Sequence, residues 1–182
     1  MPVVPPAGLD LPKGDKPYDW EEVENRPWAS ASNRSSTGCV GEDFVKYHDL
    51  VPMVFLWSPS RKLLTGTAKF GPLVEGPKLR AHGASIAMVF DEILAYPVWR
   101  EIDEKYGMGV TAKLSVSYKA ALPLKSTAKF ECRVVKKEGR KWFVTAEITD
   151  MKGETVYATG EALFISVPLP DMGRKHFLCS KL

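Results

Sequence analysis

The stretch Ala81-His82-Gly83-Ala84-Ser85-Ile86-Ala87-Met88-Val89-Phe90-Asp91-Glu92 decides how the rest of the chain is read. A turn of small residues opens it, and an apolar helical run follows that two acids interrupt midway. A helix apolar on most sides belongs inside a domain. A carboxylate among Ile86, Val89, Phe90, Ile93 and Leu94 loses hydration there, which is costly unless the group is paired or put to use. The helix is expected from about Ser85 to Tyr96, with Pro97 ending or kinking it and Val98 to Lys105 continuing as a more polar segment.

Strand signals lie on both sides of this helix. Val51, Met53, Phe55 and Trp57 share one face of a period-two stretch, a Ser58-Pro59-Ser60-Arg61 turn follows, and a second strand runs from Leu63 to Phe70. Gly71, Pro72, Gly76 and Pro77 then break the chain before the helix. After Gly107 and Gly109, Val110 to Lys119 alternates, with Val110, Ala112, Leu114, Val116 and Tyr118 on one face and Thr111, Lys113, Ser115, Ser117 and Lys119 on the other. Thr127 to Lys137 and Lys141 to Thr149 are joined by a hairpin turn at Glu138-Gly139-Arg140, and Thr155 to Val167 follows a turn at Lys152-Gly153. Two strands, one buried helix and four strands define an α+β fold in which an antiparallel sheet wraps a central helix. No internal repeat and no Gly-rich phosphate loop is present.

This domain is expected over residues 46–168, between a Pro-rich arm (1–45) and a tail (169–182). Within the arm only Asp19 to Asn25 could form a helical turn or two. Trp20 and Trp28 are too apolar to leave in water, so the arm should lie against the domain or across a partner subunit.

Composition narrows the function. With 45% hydrophobic residues in 182, a core can close without metal or disulfide staples. The net charge of +3 is spread along the chain, which argues against nucleic acid as the main partner. No apolar run approaches the roughly 20 residues that span a bilayer, and the N-terminal stretch lacks a signal-peptide core, so a soluble, unsecreted protein is expected. Cys39, Cys132 and Cys179 lack CxxC spacing and suggest neither zinc nor a disulfide framework; Cys132 alternates with Phe130 and Val134 as a core residue. His48 and His176 have no partner that sequence identifies. The chain closes on Ser180-Lys181-Leu182, the tripeptide read by the peroxisomal import receptor, so peroxisomal localisation is expected.

The backbone N–H groups at a helix start lack intrahelical acceptors and sit at the positive end of the helix dipole. Gly83 and Ala84 would let an acyl carbonyl approach them, the makings of an oxyanion hole. Asp91 could attack that carbonyl or act as general base on a water. Gly83 and Asp91 are eight residues apart, about 12 Å along a helix at 1.5 Å per residue, so one carbonyl cannot touch both. If they cooperate, Asp91 meets Gly83 of a second chain across a two-fold axis, and the protein is a homodimer. The plainer alternative stays open: His82-Gly83-Ala84-Ser85 as an ordinary turn and cap, with Asp91-Glu92 surfacing where the helix leaves the sheet.

The same residues resemble a family. His82-Gly83 with Asp91 nine positions after the His is similar to the mark of hotdog-fold acyl-CoA thioesterases of the PaaI and thioesterase-superfamily-member type, in which His-Gly-Gly opens the central helix. Gly109 to Lys119, followed by Leu122-Pro123-Leu124, resembles that family's strand after the helix, and the resemblance covers roughly Leu50 to Val167. It implies a homodimeric hotdog fold; whether dimers pair into tetramers is not set by the sequence. It further implies an acyl-CoA substrate hydrolysed to free acid and CoA without metal or cofactor, CoA entering only as part of the substrate. In that assignment Gly83 supplies the oxyanion N–H, Asp91 is nucleophile or base, Thr111 helps hold the water, and His82 fixes the turn or binds the thioester. Two departures stand out: Ala84 replaces the second Gly, and Val74-Glu75-Gly76-Pro77-Lys78 lies where some members carry a water-positioning Asn, leaving Glu75 as the stand-in. Glu92 is the competing acid, 100° further round the helix.

Coenzyme A carries phosphates, for which Lys119, Lys125, Lys136, Lys137 and Arg140 are the candidate contacts, although a solvated hairpin explains Lys136 to Lys141 as well. Met53, Phe55, Trp57, Trp20 and Trp28 could line the acyl pocket or fill the core. Two other functions remain as alternatives. One is hydration or dehydration of an acyl thioester, whose Asp-x-Asn-Pro-x-His arrangement the chain lacks; the other is acyl-CoA binding without catalysis.

Overall fold

Residues 20–23, 50–102 and 108–168 are described by the computed structural model. Alternation from Met53 to Ser58 (β2) and from Leu63 to Phe70 (β3) sends Phe55, Trp57, Leu64, Ala68 and Phe70 to one face, and the two strands pair antiparallel as the sequence indicates. The later strands are β4 (Met108–Tyr118), β5 (Ser126–Glu138), β6 (Lys141–Thr149) and β7 (Val156–Val167). Gly139 and Gly153 adopt positive φ in the two turns where glycine is expected. With a short first strand, β1 (Glu21–Val23), the described sheet has seven strands in the order β1-β2-β3-β5-β6-β7-β4, antiparallel at every pair.

β1 corrects the expectation of a helical turn at Asp19 to Asn25. Glu21, Glu22 and Val23 pair with Trp57, Leu56 and Phe55, because an open β2 edge offers backbone partners that a two-turn helix lacks. Trp20 beside it is buried with Leu56 and Leu63 on the sheet face opposite the main core, under the Arg61 guanidinium at 5.8 Å from its ring. Trp20 therefore lies against the domain as expected; Trp28 lies outside the described residues. Phe55 and Trp57 belong to the main core, with Met53 packed against it.

The central helix, α1, spans Gly83–Glu101 and is longer than expected at both ends. Pro97 sits inside it, so of the two expectations, an end or a kink with a continuing segment, the helix does not end there. Proline forfeits one backbone hydrogen bond, but Tyr96, Pro97 and Val98 are buried on the sheet, and that packing outweighs the loss. Val89, Phe90, Ile93, Leu94 and Val98 have no exposed surface, and each such side chain contributes about 1.5–3 kcal/mol by leaving water. The helix packs closely on Gly160 of β7, where a Cβ would lie 2.4 Å from the Phe90 ring. Cys132 is buried in the core, and burial pushes its thiol pKa up. No described helix is long and apolar enough to cross a membrane.

β4 departs from the alternation the sequence shows. A bulge between Thr111 and Lys113 inserts one extra residue opposite β7, which reverses which side chains face inward. Beyond the bulge Leu114 and Val116 pack on the core as expected, whereas Val110 and Ala112 are exposed and Thr111 is turned towards α1.

Candidate active site

Three local features define the start of α1. His82 is its N-cap, and His82 Nδ1 accepts a 3.0 Å hydrogen bond from the Ala84 N–H. The ring proton therefore belongs on Nε2, the only arrangement that leaves Nδ1 a lone pair to accept with. Of the two N–H groups that the sequence offers an oxyanion, Ala84's is thus engaged, and Gly83's at the first helical position has no intrahelical acceptor. Gly76 packs beneath this turn so closely that a Cβ would come within 2.8 Å of the His82 Cα.

The loop leading into the turn is held by its own bonds. Gly76 N–H donates to the Arg80 carbonyl, Arg80 N–H to Pro77, and Glu75 Oε1 accepts from the Leu79 N–H at 2.7 Å. The last bond steadies Leu79, whose φ of 61° lies in the left-handed region. Glu75, the candidate substitute for a water-positioning Asn, is thereby engaged in shaping the loop.

Two side chains of β4 tie it to α1. Tyr118 OH donates to the Gly83 carbonyl at 2.9 Å, with its ring lying over the Gly83 Cα. Thr111 Oγ1 donates to Asp91 Oδ1 at 3.2 Å. Strand and helix thus run antiparallel, with Tyr118 beside the helix start and Thr111 beside the acid. Asp91 is half-buried on the β4 side of α1, whereas Glu92 is buried. The two acids occupy different environments: Asp91 is the more exposed and is the one bonded to the Thr111 hydroxyl.

Of the expected site residues, then, the structure joins Asp91 to Thr111, and His82 to the Gly83-Ala84 turn. The two pairs stand at opposite ends of an eight-residue helical interval. Between them Ala84, Ala87 and Met88 continue a stripe of α1 that the sheet does not fully cover. The cations do not converge within one chain. Lys119 and Lys125 lie at the helix-start end of the sheet, where Lys125 N–H bonds the Phe70 carbonyl. Lys136, Lys137 and Arg140 are at the other end, on the β5–β6 hairpin: Lys136 pairs with Glu138 at 2.6 Å and Lys137 Nζ lies 4.1 Å from the Trp142 ring centroid. Glu138 is accordingly held below the ordinary carboxylate range by the Lys136 hydrogen bond and charge. Among the described residues no group of three or more His, Cys, Asp or Glu is placed to hold a metal.

Two residues at the site carry no signal of their own in the sequence. Tyr118 reads as a strand residue and Ser85 as part of a cap, yet Ser85 Oγ donates to the His82 carbonyl at 2.7 Å. Ser85 is a near neighbour of Gly83 in the chain, whereas only the path of the backbone brings Tyr118 beside it.

An antiparallel sheet wrapped around one long central helix is the hotdog fold, and this chain has it. The sequence model of the thioesterase superfamily matches residues 80–157, which include the whole central helix and strands β4, β5 and β6. Mouse acyl-coenzyme A thioesterase THEM4 is 34% identical over 86 residues, 47% of this chain and 35% of that one. Mouse acyl-coenzyme A thioesterase THEM5 is 27% identical over 123 residues, 67% of this chain and 48% of that one. A crystal structure of a thioesterase superfamily protein superposes with a TM-score of 0.56 at 25% identity, over 63% of this chain and 53% of that one. The chain thus spans between about a third and a half of the length of these curated relatives.

Proposed function

We propose that the protein hydrolyses an acyl-CoA thioester to the free acid and CoA, with Asp91 as nucleophile or general base and the Gly83 N–H as oxyanion donor. The observation that carries this reading is the Thr111–Asp91 hydrogen bond beside a helix whose first N–H has no intrahelical acceptor. A water or carbonyl near Asp91 finds an acceptor carboxylate and a neighbouring hydroxyl; a carbonyl oxygen at Gly83 finds a donor at the positive end of α1. The names of the curated relatives support an acyl-CoA substrate.

Because Gly83 and Asp91 are about 12 Å apart along α1, the reading entails two copies. The sheet ends at β4, an 11-residue strand whose outer edge has no partner among the described residues. Pairing two such edges antiparallel extends the sheet and sets the incompletely covered stripe of one α1 beside that of the other. Gly83 of each chain then faces Asp91 of its mate. If Tyr118 of one chain lies near Thr111 of the other, the two-fold axis passes between Leu114 and Ser115. The same operation brings the Lys119 and Lys125 end of one chain towards the hairpin end of its mate, so the two groups of cations flank one site. Pairing of dimers into tetramers would leave this site unchanged.

The test is free-thiol release from aromatic, medium-chain and long-chain acyl-CoAs, with Asp91→Asn in parallel. Release abolished by Asp91→Asn in a folded protein supports the mechanism; unchanged release removes Asp91 from it. Binding of acyl-CoA without release would instead favour a non-catalytic binding protein. Peroxisomal placement is part of the same proposal. It rests on Ser180-Lys181-Leu182, outside the described residues, matching the tripeptide that the peroxisomal import receptor reads, and loss of organelle import on deleting Leu182 checks it.

A further inference from the structure

The Gly83 N–H and the His82 C=O belong to one peptide group. That carbonyl, on the face away from the proposed oxyanion, accepts from the Ser85 N–H at 3.0 Å, from the Ile86 N–H at 3.4 Å and from the Ser85 hydroxyl at 2.7 Å. The first two are the ordinary bonds of a helix start. The third is shorter than either and comes from a residue with only 8% of its surface exposed. A serine hydroxyl that bonds back to the carbonyl three residues earlier is common in helices and by itself means little. Here the accepting carbonyl is conjugated, through the amide, to the one N–H that the thioesterase reading assigns to the oxyanion.

We propose that Ser85 is a positioning residue for that oxyanion donor. Its hydroxyl pins the plane of the His82–Gly83 peptide and polarises it, so that the Gly83 N–H is a stronger donor. Donation into an amide oxygen draws electron density from the nitrogen, and hydrogen bonds in series strengthen one another by about 10–30% per bond in condensed phase. The proposal rests on Gly83 being the oxyanion donor. His82 contributes from the other side, since its Nδ1 engages the Ala84 N–H and leaves Gly83 as the donor facing the substrate. Ser85 touches neither acyl group nor water; its effect passes through the peptide.

The magnitude follows from that coupling. Removing a whole oxyanion donor costs about 10²–10³ in kcat. One to three tenths of that effect, on a logarithmic scale, is a fall of about two- to eightfold. Ser85→Ala should therefore lower kcat by about that factor with KM unchanged, while Ser85→Thr, which keeps the hydroxyl, restores it. Loss of folded protein could also lower kcat alone. Two further readouts separate the cases: the melting temperature of each variant, and the amide resonance of Gly83 in protein labelled with 15N-glycine. Weaker polarisation moves the Gly83 N–H proton upfield in Ser85→Ala and returns it in Ser85→Thr.

Asp91→Asn in the same assay keeps this inference distinct from the reading beneath it. If Asp91→Asn abolishes release but Ser85→Ala matches the parent in kcat and in the Gly83 resonance, the role of Ser85 is overturned and the thioesterase reading stands. If the parent protein releases no thiol from any acyl-CoA, both fall. A kcat loss in Ser85→Ala that Ser85→Thr does not recover, or one that merely tracks the melting temperature, also overturns the proposal.

Discussion

Thr111 Oγ1 donates to Asp91 Oδ1 at 3.2 Å because β4 carries an extra residue at that point. Without the bulge, Thr111 would point to the same face as Lys113 and Ser115, away from the helix. One inserted residue thus decides whether the acid has a hydroxyl neighbour. Bulges beside functional sites commonly re-aim a side chain in this way.

Thr111→Ala should lower kcat/KM by about tenfold, the worth of one hydrogen bond to a charged acceptor at the weak end of its range. Thr111→Ser, which keeps the hydroxyl, should retain most of the activity. Steady-state hydrolysis of the best acyl-CoA in the panel measures both, and equal activity in Thr111→Ala would show that the bond does not serve the reaction.

The β4 edge is the expected contact between subunits. Ser115→Pro removes one backbone donor near the proposed two-fold axis, and proline is a usual means of blunting a strand edge. The parent protein should sediment as a dimer or a multiple of it, and the variant should shift to monomer and lose hydrolysis together. A monomeric parent with full activity would sink the two-chain site. Far-UV circular dichroism checks that the variant remains folded.

Gly160 has no room for a side chain. A Cβ there would approach Phe90 to 2.4 Å, and Phe90 is itself fully buried. Gly160→Ala should destabilise the domain by about 1–3 kcal/mol, the usual cost of overpacking a well-filled core. The midpoint of urea denaturation reports it.

Tyr96 should make the fold sensitive to alkali. Burial raises its phenol pKa from 10.0 to about 12, against a smaller opposing effect of Arg100 and with a small contribution from Glu21. Because the folded-state value lies above the unfolded one, the stabilisation is fully present below pH 10 and is lost as pH rises through about 12. Roughly two pH units of linkage amount to about 3 kcal/mol. Denaturation midpoints between pH 9 and about 12 should therefore fall more steeply in the parent than in Tyr96→Phe, which cannot ionise there.

Much of the architecture can be read from local pattern. The β2–β3 pair, the central helix and the hairpin and turn at Gly139 and Gly153 each rest on short-range features: alternation, apolar continuity and residues that accept positive φ. The candidate site is legible to the same extent, since His82, Gly83 and Asp91 lie on one element at a spacing that helix geometry translates directly into distance. The departures have a common origin. Pro97 stays within the helix, and Glu21–Val23 form a strand, because packing and edge pairing with distant residues outweigh local preference.

The sequence by itself determined that an antiparallel sheet wraps an apolar helix, that an acid sits in that helix, and that helix start and acid are too far apart for one carbonyl. Those properties follow from period and spacing, which need no knowledge of neighbours. Local pattern did not place Thr111 beside Asp91; only the family resemblance implied it, and the tertiary structure shows the bond. Tertiary structure alone decided that Tyr118 covers Gly83 and that the proposed phosphate-binding cations fall at two ends of the sheet. A one-residue bulge reverses every side chain beyond it, and strand order sets which distant residues meet; neither leaves a mark in local composition.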